Sequence, residues 1–321
     1  MITLTQTEID NSICTIQNIL QIPESGHWDN ETKASIKNFQ LRMGMPGTGI
    51  ADVKTVEMLL QRTGRTLVGD APIVQQNFED LDASTDLMED PLNLIEHMLP
   101  PNEYVNETIN KFEYIFIHHT SGWDNPTAVV EDWARDQRGR IGVHYVIGGT
   151  HINKTSKHDG LIVKCIPDKN WAYHLGSTTT DGISSYMHKH SIGIELCNFG
   201  YLTKTVEGFK TYTGAIVNAD NVIDLGYKFR GYQYWHKYSP LQLRSLKALL
   251  KKISKQHSID LHVGLYDWLK RLPTNQYYKA FEHSPDATAG KVKGVLSHTN
   301  VRKDKTDVYP HPQLIDILLN L

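Results

Sequence analysis

An acidic stretch that is poor in apolar residues constrains this chain most. Glu79, Asp80, Asp82, Asp86, Glu89 and Asp90 crowd into a segment with few large apolar side chains. Like charges at that density repel, and nothing there can seed a core, so residues 64–108 are expected to form an extended acidic linker. Leu99-Pro100-Pro101 marks the approach to the next unit. The chain then divides into a small unit over 1–63, the linker, and a larger unit over 109–321. At 321 residues and 40% hydrophobic, it is long enough for one large core and a second small one.

The first unit reads as a small all-α three-helix domain. Asn11-Ser12 is a helix-capping signal ahead of Ile13, Ile16, Ile19 and Leu20, an apolar stripe at helical spacing. Gly26-His27-Trp28 breaks the chain, and Asp29 caps a helix carrying Ile36, Phe39 and Met43. Gly44, Pro46, Gly47 and Gly49 break it again before Asp52, Val56 and Leu59-Leu60. The break-cap-helix pattern occurs twice, as Gly26…Thr32…Ile36 and Gly49…Thr55…Leu59. Ile16-Gln17, Leu20, Trp28-Asp29, Thr32, Phe39-Gln40, Gly44-Met45, Gly49-Ile50 and Thr55 make the unit resemble the peptidoglycan-binding modules of wall hydrolases. It departs from them at Thr48 and Asp52, where an aspartate and a glycine are usual. A helical docking domain without glycan affinity is the other reading.

From residue 109 the pattern alternates between strand and helix. Tyr114-Ile115-Phe116-Ile117 reads as a buried strand, and Val143–Ile147, Leu161–Ile166 and Ser191–Leu196 as further strands. Asn125-Pro126 opens one helix, and Ser239-Pro240-Leu241-Gln242 caps a longer one carrying Leu243, Leu246, Leu250 and Ile253. The fold class expected is α/β, a mixed central sheet flanked by helices.

Bulk properties exclude several functions. A net charge of -3 and a pI near 6.6 give no basic footprint, so nucleic acid is not an expected partner. No run of about 18 apolar residues exists to cross a membrane. Met1–Gln6 lacks the basic and apolar regions of a secretory signal. Cys14, Cys165 and Cys197 are too few and scattered for a disulfide framework, which fits synthesis in a reducing cytosol.

Three features carry chemistry. His118 and His119 end the first strand, where neighbours point to opposite faces, so one metal takes only one of them easily. Nearer the other end, His298 and Asp307 lie nine positions apart in a polar loop and could both reach one ion. Two imidazoles and a carboxylate make a catalytic zinc set with one position open to water. Glu195 sits in an apolar strand, Ile192-Gly193-Ile194-Glu195-Leu196; burial would raise its pKa toward neutrality and suit it to proton transfer. Each has a bland alternative: an isolated pair, a solvated loop, an outward-facing acid.

Together they form an ordered set. Ile117–Ser121, Gly142–Tyr145, Trp171–Gly176, Ser191–Leu196 and His298…Lys305-Thr306-Asp307 follow the order seen in type 2 N-acetylmuramoyl-L-alanine amidases, which 109–321 resembles. That family includes phage lysozyme-type enzymes, recycling amidases and peptidoglycan recognition proteins. The resemblance implies one Zn2+ per chain held by His118, His298 and Asp307. It implies Glu195 as catalytic acid and Lys305 as the group polarising the scissile carbonyl. His174 and Trp171 match substrate-groove positions, and His144 a neighbouring-strand histidine at the substrate side or behind the ligands. Val143 stands where some phage members carry a catalytic tyrosine, which leaves proton transfer to Glu195.

Residues 203–238, rich in aromatics such as Tyr227, Tyr232, Tyr234 and Trp235, exceed a minimal amidase domain. They read either as a wall of the substrate groove or as a surface elaboration. Cys197 reads as a buried thiol. The implied activity is zinc-dependent hydrolysis of the bond between N-acetylmuramic acid and L-alanine in peptidoglycan. The implied setting is a phage endolysin or virion-associated lysin, made in the host cytoplasm and acting on the bacterial wall, with phage structural proteins as further partners. The competing function is a non-catalytic recognition or docking protein of a phage tail or injection device.

Overall fold

The computed structural model describes residues 6–20, 22–25, 29–43, 45, 49, 51, 55–56, 58–59, 92–153, 156–176 and 182–321. Of the linker expected over 64–108, residues 64–91 lie outside them, as do the breaks at Gly26–Trp28 and Pro46–Thr48. The chain forms two compact units, 1–90 and 91–321.

In the first unit, α1 spans Gln6–Ile19 and α2 Asn30–Arg42, with helical residues again at 55–56 and 58–59. Ile16, Ile36, Phe39, Ala51, Val56 and Leu59 close a small core. Asp29 caps α2 as its position suggested, accepting from the Thr32 amide at 2.7 Å. Asn11-Ser12 does not start a helix: α1 runs through it from Gln6. Asn and Ser inside a helix each cost only about 0.5 kcal/mol, less than unwinding the turns before them. The internal repeat has a physical counterpart. Gln17 Nε2 donates to Thr32 Oγ1 at 2.8 Å, and Gln40 Nε2 to Thr55 Oγ1 at 3.0 Å, each buried and fifteen residues apart.

The second unit is built on a mixed six-stranded sheet. Its strands are β1 (Leu94–Glu96), β2 (Tyr114–His119), β3 (Tyr145–Ile147), β4 (Ile162–Lys164), β5 (Ser191–Leu196) and, late in the chain, β11 (Gly294–Ser297), in the order β1-β4-β3-β5-β2-β11. β3, β5, β2 and β11 run parallel, and β4 opposes β3. Central parallel strands are covered on both faces, which is why β2 and β5 read as near-continuous apolar runs. Residues 92–108 differ from the linker expected on composition. β1 pairs with β4 from Leu94 to Glu96, and Leu99 is buried in one apolar cluster with Val146 and Val163. A three-residue edge strand is too short to show an alternation.

Helices α3 (Pro126–Ala134), α4 (Ser185–Lys189), α5 (Pro240–His257), α6 (Leu265–Arg271), α7 (Pro285–Thr288), α8 (His298–Val301) and α9 (Pro312–Leu319) flank the sheet. Ser239 caps α5 by accepting from the Gln242 amide at 2.8 Å. α5 buries Leu243, Leu246, Leu249, Leu250 and Ile253, each worth about 1.5–3 kcal/mol of removed apolar surface.

Between β5 and α5 the chain inserts a second, antiparallel sheet of β6 (Tyr201–Thr205), β7 (Gly208–Lys210), β8 (Ile216–Val217), β9 (Val222–Phe229) and β10 (Tyr232–His236), ordered β8-β7-β6-β10-β9. Phe229, Trp235 and Tyr238 sink into the main core. Ile152, Phe199, Leu202 and Val217 form a satellite core on its other side.

Candidate active site

The parallel strands β2, β5 and β11 deliver their carboxyl ends to one edge of the sheet, and the site forms there. The last two residues of β2 part company, as strand geometry requires. His119 turns toward the inserted sheet, where its Nδ1 lies 2.9 Å from the Tyr238 hydroxyl and Trp235 and Tyr309 pack around it. His118 turns toward the loop that follows β11. Its Nδ1 lies 3.1 Å from His298 Nδ1 and 3.2 Å from Asp307 Oδ2, and His298 Nδ1 lies 2.9 Å from the same oxygen.

Among the described residues, these three form the cluster able to hold a metal ion. Ligand atoms bound tetrahedrally at zinc distances stand about 3.3 Å apart. The three edges of this triangle, and its two imidazoles and one carboxylate, therefore fit zinc without rearrangement.

The protonation pattern fits as well. With the Ser191 hydroxyl donating to the buried His188 carbonyl at 3.2 Å, its oxygen accepts from His174 Nε2–H at 2.8 Å. His174 Nδ1 is then the acceptor for His118 Nε2–H at 3.0 Å. That leaves the lone pair of His118 Nδ1 facing His298 and Asp307, the tautomer a ligand needs. Burial, with the His298 charge adding to it and Asp307 opposing, lowers the His118 pKa to about 4, so the ring is neutral. Burial holds His174 well below its ordinary value too. Burial would raise Asp307, but the charge and hydrogen bond of His298 outweigh it and hold the carboxylate well below its usual range.

One face of β5 completes the arrangement through alternate residues. Ser191 anchors His174. A Cβ on Gly193 would stand 2.7 Å from Val143 Cγ1 and 3.2 Å from His174 Nδ1, so the missing side chain makes room for the ring. Glu195 lies beside His118 in register, half-buried in the wall of the same cavity. Burial first, and the Asp307 charge second, push its pKa well above the ordinary carboxylate value against the pull of Lys305. The cavity holds about 370 Å³ and is lined by His118, His174, Glu195, His298, Lys305 and Asp307, with Trp133, Ile141 and Ser121 among its other walls.

Five of the sequence-derived residues outside β5 thus meet in one cavity with Glu195, and two stand outside it. His144 is buried beneath, its Nε2 donating to the Asn170 carbonyl at 2.9 Å and its Nδ1 accepting from the Gly193 amide at 3.3 Å. Trp171 is buried with its indole N–H on Glu107 Oε2 at 3.2 Å. Both hold the walls rather than line them. No residue of 203–238 lines the cavity, so the inserted sheet does not wall it. Cys197 is buried in the core, where burial pushes its thiol well up. Sequence reasoning did not find Ser191 as the anchor of His174, or Trp133 and Ile141 as walls. Gly193, a glycine inside an apolar strand, was the one local sign that another group approaches there.

Residues 108–312 match the family described as N-acetylmuramoyl-L-alanine amidase, and residues 16–59 match that of a peptidoglycan binding domain. Similar solved structures include PlyL, at 12% identity over 70% of this chain and 89% of that one, with a TM-score of 0.36. The AmiD amidase of E. coli, solved with anhydro-N-acetylmuramic acid-L-Ala-D-gamma-Glu-L-Lys, is 16% identical over 58% of this chain and 65% of its own, with a TM-score of 0.31. The endolysin of the Thermus scotoductus bacteriophage Ph2119 is 13% identical over 70% and 98%, also at 0.31. No curated protein matches the chain.

Proposed function

This chain belongs to the N-acetylmuramoyl-L-alanine amidase family, and we propose that it hydrolyses the amide joining the lactyl group of N-acetylmuramic acid to L-alanine, with zinc held by His118, His298 and Asp307. The observation that carries the proposal is the convergence of those three ligand atoms in the cavity that also holds Glu195 and Lys305.

Amide resonance makes the scissile carbonyl a poor electrophile, so the site must supply both a nucleophile and charge stabilisation. Zinc, when bound, supplies Lewis acidity and lowers the pKa of water. Glu195 accepts the proton of the attacking water and returns it to the leaving amine; its raised pKa suits both halves of that exchange. Lys305 donates to the oxygen that gains charge as the carbon becomes tetrahedral. His174 and Ser191 keep the His118 ring in its ligating tautomer.

Residues 16–59 act in this reading as a wall anchor. The pairing of that module with an amidase domain supports a lytic enzyme aimed at intact wall. Its setting would be a phage lysin, freed through a holin or carried on a virion with phage structural proteins as neighbours. Among the described residues, no helix is long and apolar enough to cross a membrane.

Mass spectrometry of purified sacculi digested with the protein tests the activity. New L-alanine amino termini without new reducing sugars are the expected products. New reducing ends would make it a glycosidase, and an undigested sacculus would favour the recognition protein.

A further inference from the structure

The inserted sheet does not touch the cavity, yet it grips the loop that carries half the site. The turn between β9 and β10 is a two-residue hairpin, with Phe229 and Tyr232 paired across it. Both turn residues have positive φ, Arg230 at 51° and Gly231 at 90°. Glycine accepts that region freely; arginine does so at a cost, and such strain persists where the side chain is needed. The Arg230 side chain is only 13% exposed. Its Nη2 donates to the Thr299 carbonyl at 3.0 Å and its Nη1 to the Lys303 carbonyl at 2.9 Å, with Glu282 Oε2 at 3.4 Å.

Thr299 follows His298 directly. Its carbonyl belongs to the short helix α8, whose last carbonyls have no partner within the helix. At the far end of the loop, Tyr309 stands two residues beyond Asp307. Its ring is stacked between Trp235 and Tyr238, at 4.6 Å and 4.7 Å between centroids, and its hydroxyl donates to the His236 carbonyl at 2.7 Å. The segment that supplies His298, Lys305 and Asp307 is therefore held at both ends by 230–238. Within it, the Thr299 amide donates to the Asp307 carbonyl and the Arg302 amide to that of His298.

We propose that the inserted sheet is a brace for the metal-ligand loop, and that Arg230 is the positioning residue that sets His298 and Asp307 at their distance from His118. This rests on the zinc reading above for its consequence, but not for the bracing itself.

Arg230→Gly in the full chain separates the roles. Glycine suits the turn, so the hairpin keeps its fold while both loop carbonyls lose their donors. In metal-free protein, hydrogen exchange at the Thr299 and Arg302 amides should quicken about 10-fold, with Ile115 and Ile192 in the sheet unchanged. Affinity for Zn2+ alone, from competition with a chromogenic chelator, should weaken about 10-fold, and Arg230→Lys should recover part of it. Unchanged exchange in the loop, or faster exchange shared equally by Ile115 and Ile192, would overturn the brace. So would an unaltered zinc affinity in a loop that has loosened. If the parent protein itself fails to take up zinc, the metal reading falls, and the loop exchange alone decides the brace.

Discussion

Ser191 touches neither the proposed metal nor the substrate cavity, yet zinc affinity should depend on it. Its hydroxyl oxygen accepts from His174 Nε2–H, which fixes His174 Nδ1 as the acceptor for His118 Nε2–H. In Ser191→Ala, His174 is free to place its proton on Nδ1. Two N–H groups would then face each other across 3.0 Å unless His118 moves its own proton to Nδ1, where it masks the ligand lone pair. The preference lost is that of one buried hydrogen bond, about 0.5–1.5 kcal/mol, so zinc binding should weaken roughly 2- to 12-fold. His174→Ala removes the acceptor altogether and should cost about 10- to 100-fold, the usual span for groups that orient a metal ligand. Competition with a chromogenic chelator near neutral pH gives both values, and melting of the metal-free proteins controls for folding. Nitrogen-15 NMR of the His118 ring reads the tautomer directly. Unaltered zinc affinity in both variants, or a parent His118 protonated on Nδ1, would refute the reasoning.

Other perturbations give distinct signatures. Glu195→Gln should keep zinc and lose about 10²–10⁴-fold in turnover, whereas Asp307→Ala should lose zinc as well; normal turnover by Glu195→Gln in single-turnover assays would place the base elsewhere. Chelation should abolish turnover and zinc restore it, with elemental analysis returning one zinc per chain; active protein without zinc contradicts this. Burial lowers His144 and His188 to about 4 and His236 and His311 to about 3. An unfolded histidine takes up its proton near 6.5, so between about 6.5 and 4 the unfolded chain binds more protons and stability falls as pH falls. Melting temperatures that stay flat from neutrality down to pH about 5 would contradict this. Residues 91–321 alone should cleave a soluble muropeptide at nearly the full-length rate but act more slowly on sacculi, since a tethered binder raises local concentration without altering chemistry. Starting instead at residue 109 should lower the melting temperature, because β1 and Leu99 are then lost. Equal losses on both substrates would point to a docking role for 16–59.

What the sequence disclosed follows from the range of each interaction. The α/β class, β2, β5 and the cap of α5 were legible because apolar runs and capping residues act over a few positions. His118, Glu195, His298, Lys305 and Asp307 were legible through an ordered set of motifs, and the fold brings them into one cavity. β1 was not, since three residues paired with a strand nearly seventy positions away leave no local trace. Nor was the tautomer relay, because Ser191, His174 and His118 meet only through the fold. The inserted sheet announced itself as surplus aromatic sequence, but its grip on the loop depends on one arginine in a strained turn. His144 and Trp171 sit in motif segments, yet both spend their polar atoms on neighbouring backbone and side chains within the wall.

The separation of the site's parts along the chain has a kinetic consequence. His118 and His298 are 180 residues apart, and His118 and Asp307 are 189. Contacts of such span form slowly, because a long loop must close before they return any free energy. β2 can pair with β5 well before β11 docks on its other edge. A partly folded chain would then hold Glu195 beside His118 with two of the three ligand positions absent. Hydrolytic competence should therefore appear as one of the last events of folding, after the bulk of the secondary structure is in place. A chain released early from its folding path would carry the acid without the means to use it.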